Sequence, residues 1–341
     1  MVQQQGHPVA LQWPTRFETP GEAAKAIVAA NPTQATACVV FTAFNSAMLD
    51  GPGKMQPAVF LPPFCAWLAS RGIASHFAVT PQTLARLAGP RTIVIHIYRE
   101  VGCDIVTPEI EDAQKDSLVF NAPRTGRTIA DKMATHRLFT QHGLPMPDLA
   151  DGGEGIVFSN SAKDSGAAVQ LMPGGTALDP SRYNTRFIDT RVVLRGKSYF
   201  TTVRLLCIGR HIAHAYVRAG GASTDSSPSV HAADTPLEPE LIERLQQALV
   251  APRAEALSAL ASRLGLLLGP GFYAHDLLIE RGTGNIYICE SGFKFHDWSY
   301  GNRIHPIAQD LPSHRFMLTP DYAVRAARLF LAACRDSGFS F

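Results

Sequence analysis

The sequence has no closely spaced cysteine pair. Its six cysteines (Cys38, Cys65, Cys103, Cys207, Cys289, Cys334) lie far apart, with no C-x-x-C among them. That excludes a zinc knuckle and a dithiol redox motif, and in a chain of 341 residues they read as reduced, mostly buried thiols. Charge is scarce and balanced. Only 18% of residues are charged, and 31 Lys and Arg against 29 Asp and Glu leave a formal charge of +2. This excludes a generic electrostatic nucleic-acid binder or a polybasic membrane binder, and leaves room for a local basic pocket. No apolar run reaches the roughly 18 residues a membrane span needs, and residues 1–14 are polar and Gln-rich, without the layout of a signal peptide. The P-loop, G-x-G-x-x-G and G-x-S-x-G patterns are missing as well; the glycine-rich pieces at 172–175 and 268–271 fit none of them. What is abundant is hydrophobic residues, 46% of the chain, enough for one large core or two to three smaller ones. The expectation is a soluble, cytoplasmic enzyme with no nucleic-acid or membrane partner, compatible with a homo-oligomer.

Along the chain, 37–44 and 92–98 are short β-branched runs, which is how strands buried on both faces read. Residues 57–71 and 81–88 look helical between them, the second capped by Thr80 with Pro81 at its first position. That order predicts a parallel α/β domain, ending near 116–121 in a last strand. A helix is expected over 129–142, capped by Thr128 and stopped by Gly143, Pro145 and Pro147. Strands follow at 155–160 and 167–172, with a turn near Asp164–Gly166. The alternation over 183–194, then 198–209 and 212–218, reads as antiparallel hairpins turned at 195–197. The Ser/Gly-rich segment 219–236 is long enough for a mobile cover. An amphipathic helix over 238–264, bent near Pro252, precedes a hairpin at 272–280 and 285–291, and a helix over 320–337 ends the chain. The domains expected are 1–115, 116–218 and 219–341.

The hairpin carries the sharpest chemical signal. Asp276 and Glu290 sit in apolar strands, where a carboxylate is costly unless it is paired or holds a cation. Converging on one point, they would hold Mg²⁺ for a nucleotide; the pattern equally allows each to cap a strand end or to pair with an arginine. Positive side chains for a polyphosphate are offered by Lys132 on its helix and by Arg204 inside an apolar strand. A transition-metal site from His211, His214, His275, His296, Asp297 and His305 is disfavoured, because strand spacing sends His211 and His214 to opposite faces. The aromatic segment 293–300 reads either as substrate lining or as core.

Several of these motifs, in order, resemble the ATP-grasp fold over roughly 116–310. Asn121-Ala-Pro, then Asp131-Lys132, then Gly143 to Pro147 resemble the opening of that domain. Residues 185–189 (TRFID) resemble its hinge strand, 191–204 a hairpin that delivers an arginine, and Leu264-Gly265-Leu266 with Asp276 and Glu290 its carboxyl end. The resemblance implies an N-terminal parallel α/β domain followed by a two-lobed ATP-grasp module of α/β and α+β character. It also implies ATP and Mg²⁺ as cofactors, with Lys132, Lys163, Arg186, Phe187, Ile188 and Asp189 binding nucleotide. Asp276 and Glu290 would hold metal, and Arg204 and Lys132 would serve catalysis. The implied activity joins a small-molecule carboxylic acid to an amine through an acyl phosphate; a non-catalytic nucleotide-binding relative and a phosphotransferase are the alternatives. The sequence departs from the family at specific places. Gly292 stands where an Asn commonly follows the metal-holding Glu, leaving Asp297 or Asn302 to supply an oxygen. No lysine occurs at 157–159, leaving Lys163 as its substitute. The hinge position that usually holds Glu is Thr185 or Arg186.

Overall fold

The β-branched runs of the first third have few polar positions to turn toward water, so they pair side by side and bury both faces. In a computed structural model, which describes residues 20–42, 60–97, 106–163, 169–223, 227–295 and 298–341, they form β1 (Ala37–Thr42) and β3 (Thr92–His96) of a four-stranded sheet. With β2 (Ile73–Ala78) and β4 (Leu118–Phe120) the order is β2-β1-β3-β4, every pair parallel. Strand β2 was not foreseen, because Ser75 and His76 break its apolar pattern; Ser75 is held through its backbone N–H, which donates to Asn31 Oδ1 at 2.7 Å. The helices expected beside these strands are Leu61–Ala69 and Pro81–Leu87, and the Thr80 cap accepts from the Thr83 N–H at 3.2 Å.

The parallel sheet does not stand alone. Helix Leu61–Ala69 packs on the C-terminal helix Pro320–Asp336, and Phe64, Phe120, Phe272 and Phe330 meet there with ring centroids 4.9–6.1 Å apart. Asn121 completes the join. It adopts φ +57°, its Nδ2 donates to His96 O at 2.9 Å, and its Oδ1 accepts from the Phe272 N–H at 2.7 Å. One buried side chain thus ties the end of β3 to the start of β11 (Phe272–Ile279).

The second sheet contains β5 (Ile156–Ser161), β6 (Gln170–Pro173) and β7 (Arg182–Arg186) in the order β6-β5-β7. The third is antiparallel: β10 (His211–Gly221), β9 (Lys197–Ile208), β11 and β12 (Ile286–Gly292) lie in that order, with β8 (Val192–Leu194) on β9. Two expectations change here. The alternation over 183–194 is two strands in two different sheets, crossing at 187–191, because period-2 patterning is blind to which neighbour a strand pairs with. The division at 218 cuts the third sheet, since β10 pairs with β9 and β9 with β11, and neither pairs with β5–β7.

The helix expected over 129–142 begins later. Thr128 lies in a short helix, Pro123–Ile129, and Asp131 is the cap of Lys132–Gln141, accepting from the Ala134 N–H at 3.0 Å. The amphipathic stretch after 238 divides near Pro252, as its proline predicts, into Pro239–Leu249 and Ala254–Leu268, with Ala251–Arg253 as a 3₁₀ turn. The second of these lies so close to the β9–β10 turn that a Cβ on Gly265 would sit 2.4 Å from Arg210 Cα. Only glycine fits there. Among the described residues no helix is long and apolar enough to cross a membrane.

Candidate active site

Period-2 geometry sends every second side chain of a strand to one face. On β9 that face carries Thr202 and Arg204; on β11 it carries Asp276 and Leu278, with Arg204 directly opposite Asp276. Arg218 on β10 lies opposite Thr202. Asp276 is in turn opposite Glu290, and the register skips Cys289 between Asp276–Glu290 and Leu277–Ile288. This bulge turns both Cys289 and Glu290 toward the cleft. Across from them stand Phe158, Asn160, Tyr183 and Thr185 of the β5–β7 sheet, then Phe187 and Ile188. The two sheets enclose a cavity of about 490 Å³. Residues 228–233, from the segment expected to be a cover, line it as well.

The structure brings most of the expected residues together: Lys132, Arg186, Phe187, Ile188, Arg204, Asp276 and Glu290 all line this cavity. Lys132 is placed by its backbone, the N–H donating to Ala162 O at 2.9 Å where β5 ends. Two residues do not line it. Asp189 is folded onto Arg191, accepting from its backbone N–H, Nε and Nη2 at 2.8–3.0 Å. Lys163 is exposed just beyond β5. Arg186 is a strut between the sheets: Nη1 donates to Glu280 Oε1 at 2.6 Å and Nη2 to the Tyr287 hydroxyl at 3.0 Å, both near the tip of the β11–β12 hairpin.

The acids are paired rather than open. Arg204 Nε and Nη2 donate to the two oxygens of Asp276 at 2.7 and 2.6 Å, and Lys294 Nζ donates to Glu290 Oε1 at 2.7 Å. Burial alone would push the Asp276 carboxyl up, yet Arg204, Arg218 and Lys294 outweigh it and hold the group at about 2. Glu290 is also held below its ordinary value: burial and the charge of Asp276 raise it, while Lys294 and Lys132 bring it down. Both stay ionised at neutral pH. The Cys289 thiol goes the other way, pushed up to about 12 by burial and by the two carboxylates.

A magnesium ion is commonly held through one or two carboxylates with open lone pairs. Here Asp276 spends both oxygens on Arg204 and Glu290 is drawn to Lys294. Among the described residues no three His, Cys, Asp or Glu side chains gather. Among the described residues, a divalent ion would have to share Asp276 with Arg204 and Glu290 with Lys294. His211 and His214 were expected on opposite faces, but a bulge between Ile212 and His214 sets them opposite Ile208 and Leu206, on one face of the sheet; there the first pairs with Asp336 at 2.7 Å and the second stacks on Tyr216. His296 and Asp297 lie outside the described residues.

Sequence reading missed Arg218 and Lys294. Arg218 carried the signal used for Arg204, a guanidinium within an apolar strand. Lys294 lies between Phe293 and Phe295, both buried in the core, and that alternation aims it at the cleft. Within the segment 293–300, Phe293, Phe295 and Tyr300 are therefore core, Tyr300 bonded to Val217 O at 3.1 Å, while Lys294 and Ser299 line the cleft.

Solved structures to which the chain is similar are described as ATP-grasp proteins and ligases. The ATP-grasp ligase PsnB, complexed with minimal precursor, Mg and ADP, is 12% identical with a TM-score of 0.48, over 87% of this chain and 100% of that one. A RimK domain protein ATP-grasp from Sphaerobacter thermophilus is 18% identical with a TM-score of 0.46, over 86% and 99%. D-alanine–D-alanine ligase from Bacillus anthracis is 11% identical with a TM-score of 0.45, over 86% and 99%. No protein-family model and no curated protein matches the sequence.

Proposed function

We propose that the cleft binds ATP and that the chain is an ATP-dependent ligase, joining a small carboxylic acid to an amine. The observation that carries this is the make-up of one cavity: apolar side chains (Phe158, Phe187, Ile188, Leu278) suited to a base, and cations (Lys132, Arg204, Arg218, Lys294) suited to phosphates. A carboxylate is a poor electrophile, and phosphorylation gives it a leaving group. In this reading the cations hold the phosphates and offset the charge that develops on the transferring oxygens. Residues 228–233 shield the acyl phosphate from water. The experiment is a screen for ADP formation with amino acids and small acids, each with and without candidate amines. ADP release that needs both substrates, with amide found by mass spectrometry, supports the ligase. ADP with a phosphorylated product and no need for amine points to a phosphotransferase.

A second reading, nucleotide binding without turnover, is favoured by the closure of Asp276 on Arg204 and of Glu290 on Lys294. Saturable ATP binding with no ADP under every substrate pair would select it.

A further inference from the structure

An arginine spans the hinge side of the cleft, and what it grips lies beside the far wall of the part suited to a base. We propose that Arg186 is a positioning residue: through Glu280 and Tyr287 it sets the gap between Phe187 and Leu278 in which the base of the nucleotide stacks. The proposal rests on the nucleotide reading of the cavity and deepens it.

Three observations carry it. First, Arg186 is fixed at both ends. Its backbone belongs to the small sheet, opposite Val157 on β5, and its N–H donates to Asp148 O at 2.8 Å. Its guanidinium reaches the other sheet, where Nη1 donates to Glu280 Oε1 at 2.6 Å and Nη2 to the Tyr287 hydroxyl at 3.0 Å; Nε lies 3.7 Å from Asp148 Oδ2. Second, the residues it grips flank Leu278. Tyr287 is the register partner of Leu278 on β12, and Glu280 is two residues further along the chain. Phe187 follows Arg186 directly and is tied to the small sheet, its N–H donating to Ile156 O at 2.9 Å. Phe187 and Leu278 both line the cavity, so a shift of the guanidinium becomes a shift between its two walls. Third, the grip is itself held. Thr283 Oγ1 donates to Glu280 Oε2 at 2.7 Å, and the guanidinium carbon of Arg186 lies 5.5 Å from the centre of the Tyr287 ring. Backbone bonds bracket it, from the Arg281 N–H to Asp189 O at 2.7 Å and from the Ile288 N–H to Pro145 O at 2.8 Å. The Arg186 side chain is 42% exposed, so its ion pair adds little to stability. Its consequence is geometric: a stacking site that is not held ready must be ordered on binding, and affinity falls by that cost.

Glu280 is not among the residues that line the cavity, so a change there reaches the ligand through Arg186. Isothermal titration of the full chain with ATP, and with inorganic tripolyphosphate, which lacks the base, tests this. Glu280→Ala is expected to weaken ATP binding by about tenfold and tripolyphosphate binding by less than about twofold, with a urea midpoint close to wild type. Glu280→Gln keeps an oxygen for Arg186 and is expected to bring ATP binding back to within about threefold of wild type. Unchanged or tighter ATP binding by Glu280→Ala overturns the inference and leaves the nucleotide reading intact. An equal loss for both ligands also overturns it, since that marks a general loosening of the cleft. Tyr287→Phe keeps the ring beside the guanidinium and removes only the accepting hydroxyl; it is expected to weaken ATP binding by about threefold. If Glu280→Ala does not fold, unchanged ATP affinity in Tyr287→Phe overturns the inference. Absence of ATP binding by the wild-type chain overturns both the inference and the nucleotide reading.

Discussion

Arg204 and Asp276 face each other across β9 and β11 and are joined by two parallel hydrogen bonds of 2.7 and 2.6 Å, with little of either side chain exposed. A bidentate pair of this kind is costly to break from one side, since the survivor keeps its charge without a partner. Asp276→Ala is therefore expected to lose about 3–5 kcal/mol of stability in urea unfolding, and Arg204→Ala a comparable amount. Arg204→Met with Asp276→Leu should recover most of the loss, because no lone charge remains. If the double variant is as unstable as the two single losses combined, the two residues are not a coupled pair.

Gly265 tests a different kind of constraint. A Cβ there would come within 2.4–2.6 Å of the backbone of Gly209 and Arg210, and backbone at a strand turn has nowhere to move. Gly265→Ala, normally favourable inside a helix, should instead cost about 1–3 kcal/mol. The control is Gly338→Ala, which meets nothing within 4 Å but has φ +80°; its strain is local to the chain end. A Gly265→Ala protein as stable as wild type would mean that helix Ala254–Leu268 does not ride on that turn.

How much of this was legible depended on what each signal encodes. Asp276, Glu290 and Arg204 were readable because a charge inside an apolar strand is expensive and so demands a reason. Pairing partners were not readable: β9 lies beside β11 only because strands distant in sequence meet, and local alternation carries no trace of that. The same blindness joined β7 to β8 over the crossing at 187–191. Lys294 was hidden because a lysine between two phenylalanines resembles an ordinary aromatic core segment until the bulge at Cys289 fixes which way the chain faces. The motif around Asn121 was visible, but its work, bridging His96 and Phe272, rests on contacts 25 and 151 residues away.

Acid should unfold the protein through its histidines before its site carboxylates. Burial pushes His96, His214, His275 and His314 down to about 4 from an ordinary value of 6.5. These groups are neutral in the folded chain and protonate more readily when unfolded. Their contribution to stability is complete above pH 6.5 and is lost as pH falls from there toward 4, each at up to about 1.4 kcal/mol per pH unit. Asp276, held at about 2 against an ordinary 3.8, loses its contribution only below pH 3.8. Urea midpoints measured from pH 7.5 to 4.5 should therefore decline steadily. His275→Gln, which retains a polar group beside Ser291 Oγ, should flatten that decline. A midpoint independent of pH over this range would show that these imidazoles are not buried as described.

Cys289 lines the cleft beside Glu290 and is the one cysteine lining it among the described residues, so a nucleophilic role has to be weighed. The environment argues against it. Burial and two neighbouring carboxylates disfavour the thiolate, which is the reactive form, and push the thiol to about 12 although Lys132 and Lys294 pull the other way. Iodoacetamide labelling of Cys289, followed by peptide mass spectrometry, should be slow at pH 7. It should rise by about tenfold per pH unit up to at least pH 10 without a plateau, because the thiolate fraction is still climbing. A plateau near neutral pH would mark a low-pKa nucleophile and would require a covalent step in this cleft. ATP should slow the labelling at every pH if nucleotide occupies the same cavity.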